Sequence, residues 1–169
     1  ADWLLERTGL EVEVTNAAVR RGKNRRGRPT TTLRLGYRGP RNPPTLPKVK
    51  IDLTSDEVVA GTPVRRPILH PYSDGDEIAV QVLSYSIAEL LAEKIRDLVE
   101  RCRPRDLYDV INVYRHPEVI DDSEAVVAAL RAKCAHAGIP VPDADAVLAS
   151  EFHDELNQEW ANMLAHQLT

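Results

Sequence analysis

The stretch SYSIAELLAEKIRDLVERCRPRDLYDV, residues 84–110, marks the point where the chain changes from strand-like to helical patterning. Ser86 and Glu89 have the spacing of a capping box, which predicts a helix that continues to about Arg101. The apolar stripe of this helix consists of Ile87, Leu90, Leu91, Ile95 and Leu98. Pro104 suits the first position of a second helix. The stretch therefore predicts two consecutive helices.

Before residue 84 the sequence has the alternation of short strands. Three strands are predicted, at 10–14 with a continuation towards Val19, at 30–37 and at 48–54. Gly, Asn and Pro predict a turn over 21–29, which makes a hairpin of the first two strands. Shorter extended pieces are predicted at 67–70 and 78–83. A helix end is predicted at 2–8, stopped by Gly9.

After residue 110 the pattern stays helical. The second helix is predicted to stop near His116 and Pro117, because proline disfavours continuation. Asp122 or Ser123 caps a helix through Ala137, and a last helical region begins at Asp143 and continues to Leu168. Strands followed by helices predict an α+β fold, with a strand-rich part at 1–83 and a helical part at 84–169.

Composition excludes several classes of protein. The chain has 169 residues, of which 43% are hydrophobic and 28% charged, so it is neither disordered nor collagen-like. No apolar run approaches the roughly 20 residues of a transmembrane helix, and the first residues do not form a signal peptide. Cys102 and Cys134 have the character of ordinary thiols. We expect a cytoplasmic protein without membrane contact.

Charge is distributed unevenly along the chain. Residues 14–51 contain eleven basic residues and no acidic one, whereas the whole chain is acidic. A basic lobe on an acidic body predicts contact with phosphates, and nucleic acid fits this pattern. The candidate nucleic-acid-binding residues are Arg20, Arg21, Lys23, Arg25, Arg26 and Arg28. A solvated hairpin tip without a partner is the alternative.

Two basic side chains lie at positions that suit phosphate chemistry. Strand alternation places Lys50, Asp52 and Thr54 on one face, where the carboxylate suits Mg²⁺ and the lysine suits a phosphate. An exposed strand face with an incidental ion pair is the alternative. Lys94 lies on or beside the apolar stripe of the first helix. It is directed into a cleft, or it extends along the surface to reach solvent.

A third group follows at the junction of the two helices. Arg101, Arg103 and Arg105 lie next to Asp106 and Asp109, which share a face of the second helix. Acidic residues there also favour the positive end of the helix dipole. The group either takes part in chemistry or forms a network that locks the two helices together.

These motifs, in this order, resemble the AbiEii/AbiGii family of nucleotidyltransferase toxins. The resemblance covers residues 45–115, and its most specific part is LLAEKI, then an arginine, then PRDLYDV. It implies a nucleotidyltransferase-like palm followed by a helical domain. It also implies a bacterial toxin of a toxin–antitoxin or abortive-infection system, which transfers a nucleotidyl group from an NTP to an acceptor such as tRNA or another RNA. A cognate antitoxin is an implied partner.

The resemblance also implies roles for single residues. Asp52, with Lys50 as its motif partner, binds Mg²⁺ or acts as a base for the attacking hydroxyl. Lys94 and Arg105 contact the triphosphate, and Thr54 belongs to the same nucleotide-binding set. Asp106 and Asp109 are catalytic, or they orient the lysine and arginine.

The sequence departs from the family at its beginning. Family members carry a Gly-rich turn and an acidic pair, spaced DxD or DxE, ahead of these motifs. Residues 1–45 contain no such motif, and Glu11 and Glu13 are the only early candidates. Because the chain starts at Ala1 and its only methionine is Met163, we expect it to begin after the motif and to be inactive alone. The gene sequence ahead of the Ala1 codon tests this expectation.

Two other functions stay open. The first alternative is a non-enzymatic module, which binds nucleic acid through the basic lobe or an antitoxin through the acidic helices. A metal-dependent nuclease is the second alternative, since acids and a lysine on a strand also serve phosphodiester cleavage. The absence of acids from 14–51 argues against it. Labelled NTP separates transferase from nuclease, because only a transferase adds label to RNA.

Overall fold

A computed structural model describes residues 5–6, 9–24, 27–39, 43–69, 71, 73 and 80–163. The strands are β1 (Glu11–Lys23), β2 (Pro29–Arg38), β3 (Lys48–Thr54), β4 (Val64–Pro67) and β5 (Gln81–Ser84). The helices are α1 (Ile87–Arg101), α2 (Pro104–Tyr114), α3 (Pro117–Asp121), α4 (Ser123–Ala137), α5 (Ala144–Leu148) and α6 (Ser150–Met163). This order confirms the predicted α+β class.

The chain divides into a strand unit, residues 1–57, and a helical unit, residues 58–169. Compactness thus groups β4 and β5 with the helices, whereas the predicted division at 83/84 follows the change in patterning. Among the described residues, no helix has both the length and the apolar composition needed to cross a bilayer.

The strand unit contains an antiparallel sheet with the order β1-β2-β3. The hairpin of β1 and β2 confirms the prediction, but β1 continues through Lys23, where a turn was predicted. The ladder extends that far because Arg21 pairs with Thr31 and Lys23 with Pro29. The turn is therefore shorter, and in it the Arg28 N–H donates to Asn24 Oδ1 at 2.9 Å.

Alternation gives this sheet two chemically different faces. One face, which we name the cationic face, carries Arg20, Arg34, Lys48 and Lys50 around Asp52. The opposite face carries Val19, Leu33, Leu35, Val49, Ile51 and Leu53. β3 has the predicted bounds, so the predicted sharing of one face by Lys50, Asp52 and Thr54 is confirmed.

The helical unit begins with a two-stranded antiparallel ladder. Val64 pairs with Ser84 and Pro67 with Gln81, so both strands differ from the predicted pieces at 67–70 and 78–83. Residues 70, 78 and 79 lie outside the described residues. The frequent prolines of this segment do not prevent a strand, because a proline is tolerated where its strand lacks a neighbour on one side.

The helix boundaries follow local capping chemistry. The Glu89 N–H donates to Ser86 Oγ at 3.1 Å, which confirms the predicted start of α1. Pro104 is the first residue of α2, as predicted. Asp122 Oδ1 accepts from the Ala125 N–H at 3.1 Å and so caps α4, and Gly138, in the left-handed conformation with φ 70°, ends it.

Two details of the helical region differ from the sequence prediction. A short α3 lies between α2 and α4, because Pro117 suits a first helical position as well as it ends the preceding helix. The last helical region is split into α5 and α6 by Ala149, whose ψ of 138° is not helical. Residues 164–168, the end of that prediction, lie outside the described residues, as do most of 2–8.

The core of the helical unit lies along α1. One cluster joins it to the short α3 and to α4 through Ala88, Leu91, Val119 and Val126. A second consists of Ala92, Ala129, Leu130 and Cys134, and a third of Leu98, Cys102 and Leu156. Ala92 and Cys134 have no exposed surface, and these small side chains allow α1 and α4 to pack closely.

Glu89 completes only half of the predicted capping box. Its carboxylate accepts hydrogen bonds from the N–H groups of Ala60, at 2.8 Å, and Gly61, at 3.0 Å. Lys133 Nζ lies 3.1 Å from the same carboxylate, and both side chains are 1% exposed. Burial favours a raised pKa for Glu89, but the two backbone donors and Lys133 outweigh it and lower the pKa. This buried ion pair joins α1, α4 and the segment before β4.

Replacing Glu89 therefore tests how far the helical unit depends on this pair. Glu89→Ala leaves Lys133 buried without its main partner, and we expect the free energy of unfolding to fall by about 3–5 kcal/mol. The exposed Glu124, on α4, gives the control: Glu124→Ala is expected to change stability by about 0.5 kcal/mol or less. Urea unfolding followed by circular dichroism measures both, and equal effects would contradict a central role for Glu89.

Candidate functional site

On the cationic face, Asp52 is the centre of a small polar group. Lys50 Nζ lies 2.6 Å from Asp52 Oδ2, and the Thr32 hydroxyl donates to Asp52 Oδ1 at 2.7 Å. Thr32 faces Asp52 in the ladder, and the side chain of Asp52 is 59% exposed. Thr54, one position further along this face, accepts a long 3.4 Å hydrogen bond from the Asp56 N–H. The structure thus brings Lys50 and Asp52 together at a solvent-accessible position.

These contacts determine the charge of Asp52. The hydrogen bond from Lys50, followed by that from Thr32, lowers the pKa of Asp52. A carboxylate with a lowered pKa stays ionised and is a weaker proton acceptor. Of the two roles that the resemblance implies, the electrostatics therefore favour an anionic positioning group over a general base.

Asp52 offers a single carboxylate towards a magnesium ion. Mg²⁺ requires near-octahedral oxygen coordination, usually with one or two carboxylates plus water and phosphate oxygens. Within the part of the chain that the structure describes, no group of three or more His, Cys, Asp or Glu side chains is placed to hold a metal. Asp52 is also already paired with a lysine. Asp52 therefore provides at most one protein ligand, and Mg²⁺ stays a prediction.

The predicted nucleic-acid-binding residues do not share one surface. Arg20 lies on the cationic face opposite Thr32, whereas Arg21 and Lys23, paired with Thr31 and Pro29, belong to the opposite face. Arg28 forms a 3.2 Å salt bridge with Asp56. Arg25 and Arg26 lie outside the described residues. Alternation along β1 separates neighbouring basic side chains, so the basic run of the sequence does not form one patch.

Two further members of the cationic face were not among the predicted binding residues, although alternation had placed Lys48 on the face of Lys50. Arg34 is paired with Ala18 on one side and Lys50 on the other, and the exposed Lys48 follows on the same face. The pairing register places Arg34 diagonally next to Arg20, whereas Lys48 lies further along the sheet, opposite Gly36. Both belong to the acid-free stretch, which was the available signal, but their shared face depends on the register.

In the helical unit, Lys94 contacts Asp109 across α1 and α2. The Lys94 Nζ lies 2.7 Å from Asp109 Oδ2, and the two side chains are 27% and 32% exposed. Lys94 is thus half-buried beside the apolar stripe, with its ammonium group at the surface between the helices. Arg105 is one helical turn before Asp109, is exposed, and has no side-chain partner among the described residues. The two cations lie on the same side of the helix pair.

Asp106 has a different environment from Asp109. Asp106 is 2% exposed, and Arg101 donates a hydrogen bond to Asp106 Oδ1 at 3.0 Å. Its Oδ2 is buried and has no hydrogen-bond partner among the described residues. Arg101 also pairs with Asp97, so these residues join the end of α1 to the start of α2. This arrangement corresponds to the network that locks the two helices together.

A pocket of about 530 Å³ opens beside the N-terminal end of α1. Val59, Leu83, Tyr85, Ile87 and Leu90 form most of its apolar wall. Arg66 lies at its edge, held by two hydrogen bonds to the Glu118 carboxylate at 2.7 and 3.2 Å. The sequence did not predict this pocket, since its wall comes from a loop, a hairpin and a helix that meet only in the folded unit.

Comparison with known proteins identifies one family. The family model described as nucleotidyl transferase AbiEii toxin, type IV TA system, matches residues 2–169. This match extends well beyond residues 45–115, which carried the resemblance in the sequence. The comparisons with curated proteins and with solved structures found no match.

The different environments of Asp106 and Asp109 give a testable contrast in stability. Asp106→Ala removes the buried partner of Arg101, and we expect the free energy of unfolding to fall by about 1–3 kcal/mol. Asp109→Ala breaks a pair that is about one third exposed, and we expect a loss of about 0–1 kcal/mol. Urea unfolding of the two variants checks the order. A larger loss of stability for Asp109→Ala would show that Asp109, and not Asp106, is the structural carboxylate.

Proposed function

The chain belongs to the AbiEii family of nucleotidyl transferase toxins of type IV toxin–antitoxin systems, and from this premise we propose that the protein transfers a nucleotidyl group from an NTP to RNA. An acceptor hydroxyl oxygen attacks the α-phosphorus, and a new oxygen–phosphorus bond forms. The bond between the α-phosphorus and the bridging oxygen breaks, and pyrophosphate leaves. The hydroxyl proton passes to solvent or to a base. An RNA acceptor, such as a tRNA end, implies a cytoplasmic reaction.

The observation that carries this proposal is the pair of cations near Asp109, Lys94 and Arg105, whose hydrogen-bond donors are incompletely used. An ammonium group has three donors, and Lys94 uses one of them on Asp109. Arg105 has five donors and no side-chain partner in the described part of the chain. A triphosphate supplies the acceptors that both groups lack. We therefore assign Lys94 and Arg105 to the triphosphate, and Asp109 to holding Lys94 in place.

Asp106 acts in this proposal through the helix junction. Its contact with Arg101 fixes the beginning of α2, which carries both Arg105 and Asp109. Asp106 is therefore a positioning residue rather than a group that touches the nucleotide. Asp106 is only 2% exposed, and a carboxylate in the interior cannot reach a substrate in solvent. Its burial therefore supports this assignment.

The strand unit supplies the second part of the proposal. Asp52, ionised and held by Lys50, keeps the role that the resemblance implies, with Thr54 next to it on the same face. Mg²⁺ stays a prediction from the resemblance, and none of the roles assigned to residues of the helical unit depends on it. Arg20, Arg34 and Lys48 attract RNA phosphates. The cationic face has no aromatic side chain among its described residues, so it suits the RNA backbone rather than specific bases.

Membership in a toxin–antitoxin family implies an antitoxin as the functional counterpart. A direct contact between this chain and the antitoxin stays a prediction. Binding without catalysis is the alternative function, and it is favoured by the small donor set around Asp52. A transfer assay with labelled NTP decides between the two.

Lys94→Ala tests the transferase proposal at its central residue. Loss of one charge-assisted contact to phosphate is expected to lower the transfer of labelled nucleotide to RNA about 10- to 100-fold. The protein is expressed from its complete gene, and incorporation from each of the four NTPs is measured. Arg115→Ala, which removes an exposed cation at the end of α2, is the charge-matched control and should retain full activity.

Three outcomes of the same assay would contradict the proposal. Label on RNA that is unaffected by Lys94→Ala would remove this lysine from the mechanism. RNA shortening without incorporated label would favour the nuclease. RNA binding with neither incorporation nor cleavage would favour the non-enzymatic module.

Salt dependence tests the cationic face separately. Each phosphate contact to single-stranded RNA contributes about 0.7 to the slope of log K against log salt, so Arg20→Ala with Arg34→Ala should reduce the slope by about 1.4. Arg21→Ala with Arg115→Ala removes the same charge away from this face and should change the slope much less. Fluorescence anisotropy with labelled RNA measures both. Equal slopes for the two double variants would remove the cationic face from RNA binding.

A further inference from the structure

The pocket next to α1 has a wall that suits a flat apolar ligand. Leu83 and Tyr85 come from the end of β5 and the residue after it, while Ile87 and Leu90 come from the first turns of α1. Its volume of about 530 Å³ falls in the range of small-molecule sites. The mostly apolar wall favours contact area over hydrogen bonding as the source of affinity.

Tyr85 contributes an aromatic ring that is in contact with the buried Lys133. The Lys133 Nζ lies 4.6 Å from the centroid of the Tyr85 ring. Lys133 is itself held by Glu89 and by the Val58 carbonyl, at 3.1 Å each. The tyrosine therefore belongs to the rigid ion-pair assembly, and the ligand-facing wall is formed before any ligand binds.

The pocket lies on the same face of α1 as Lys94. Ile87, Leu90 and Lys94 follow one another at intervals of three and four residues, which places them on one helix face. Lys94 is four residues beyond Leu90, a distance of about 6 Å along the helix axis. Long helical side chains also point back towards the N-terminus, which is the direction of the pocket. A ligand in the pocket thus has a cation within reach of its other end.

We propose that this pocket binds the base of the NTP, while Lys94 binds its phosphates. This inference rests on the proposed function, since it assigns the base of the same nucleotide to a place of its own. A nucleobase is a planar heteroaromatic ring, and it matches a wall of aliphatic side chains and one tyrosine. Arg66, 30% exposed at the pocket edge and fixed by Glu118, provides a donor for oxygen or nitrogen atoms at the rim of the base.

Two exposed leucines of the helical unit provide a matched pair of variants. Leu83 lines the pocket and is 65% exposed, so Leu83→Trp fills the space without disturbing the core. Leu148, on α5, is 67% exposed and does not line the pocket, so Leu148→Trp adds the same ring away from it. Calorimetry measures the affinity of each protein for ATP, CTP, GTP and UTP, and for inorganic tripolyphosphate, which has no base.

In the unchanged protein we expect at least one NTP to bind about tenfold or more tightly than tripolyphosphate, because burial of the base adds affinity. Leu83→Trp is expected to lower the affinity for that NTP to the affinity for tripolyphosphate. The affinity for tripolyphosphate itself should not change. Leu148→Trp should change neither. An NTP affinity that is unchanged in Leu83→Trp would overturn the inference.

Lys94→Ala separates this inference from the proposed function. If Lys94→Ala weakens both NTP and tripolyphosphate while Leu83→Trp weakens neither, only the base pocket is wrong. If Lys94→Ala leaves NTP binding unchanged, the proposed function fails first. Circular dichroism of each variant shows that its helices are intact, so a loss of affinity reports on binding.

Discussion

The buried carboxylate of Glu89 is the contact on which the arrangement of the helical unit depends. A charged group removed from water is tolerated only when its hydrogen-bonding capacity is filled, and two backbone N–H groups and Lys133 fill that of Glu89. Lys133 in turn bonds the Val58 carbonyl and lies 3.2 Å from Glu93. The helices α1 and α4 and the chain segment before β4 are therefore joined by one ionic assembly. Removing Glu89 or Lys133 leaves a buried charge without one of its partners.

This assembly lies on one side of α1, and the candidate site lies on another. Glu89, Glu93 and Arg96 belong to the buried ionic side, whereas Lys94 faces α2. A helix fixed by buried charges on one side presents the side chains of its other side from a rigid support. Pre-organisation of this kind lowers the cost of ordering a cation before it meets a phosphate.

Local chemistry made part of this structure predictable. The capping oxygen of Ser86, the proline that begins α2 and the alternation of β3 each act within a few residues, so the sequence shows them directly. The contacts of Glu89 and the pair of Arg66 with Glu118 join residues that are 28 to 52 positions apart. Patterning carries no information about such partners. For the same reason the helix start was correct while the second half of the capping box was wrong.

Two lysines of the helical unit show how a structural charge differs from a functional one. Lys133 is 1% exposed and has two carboxylates, a carbonyl and an aromatic ring around its ammonium group, so it has no capacity for a ligand. Lys94 is 27% exposed and contacts a single carboxylate among the described residues. Both are lysines on amphipathic helices, and sequence alone does not separate them. Unfilled donors at the surface, next to an Arg105 that has no side-chain partner in the same described part of the chain, are what favour Lys94 as the group that meets an anionic substrate.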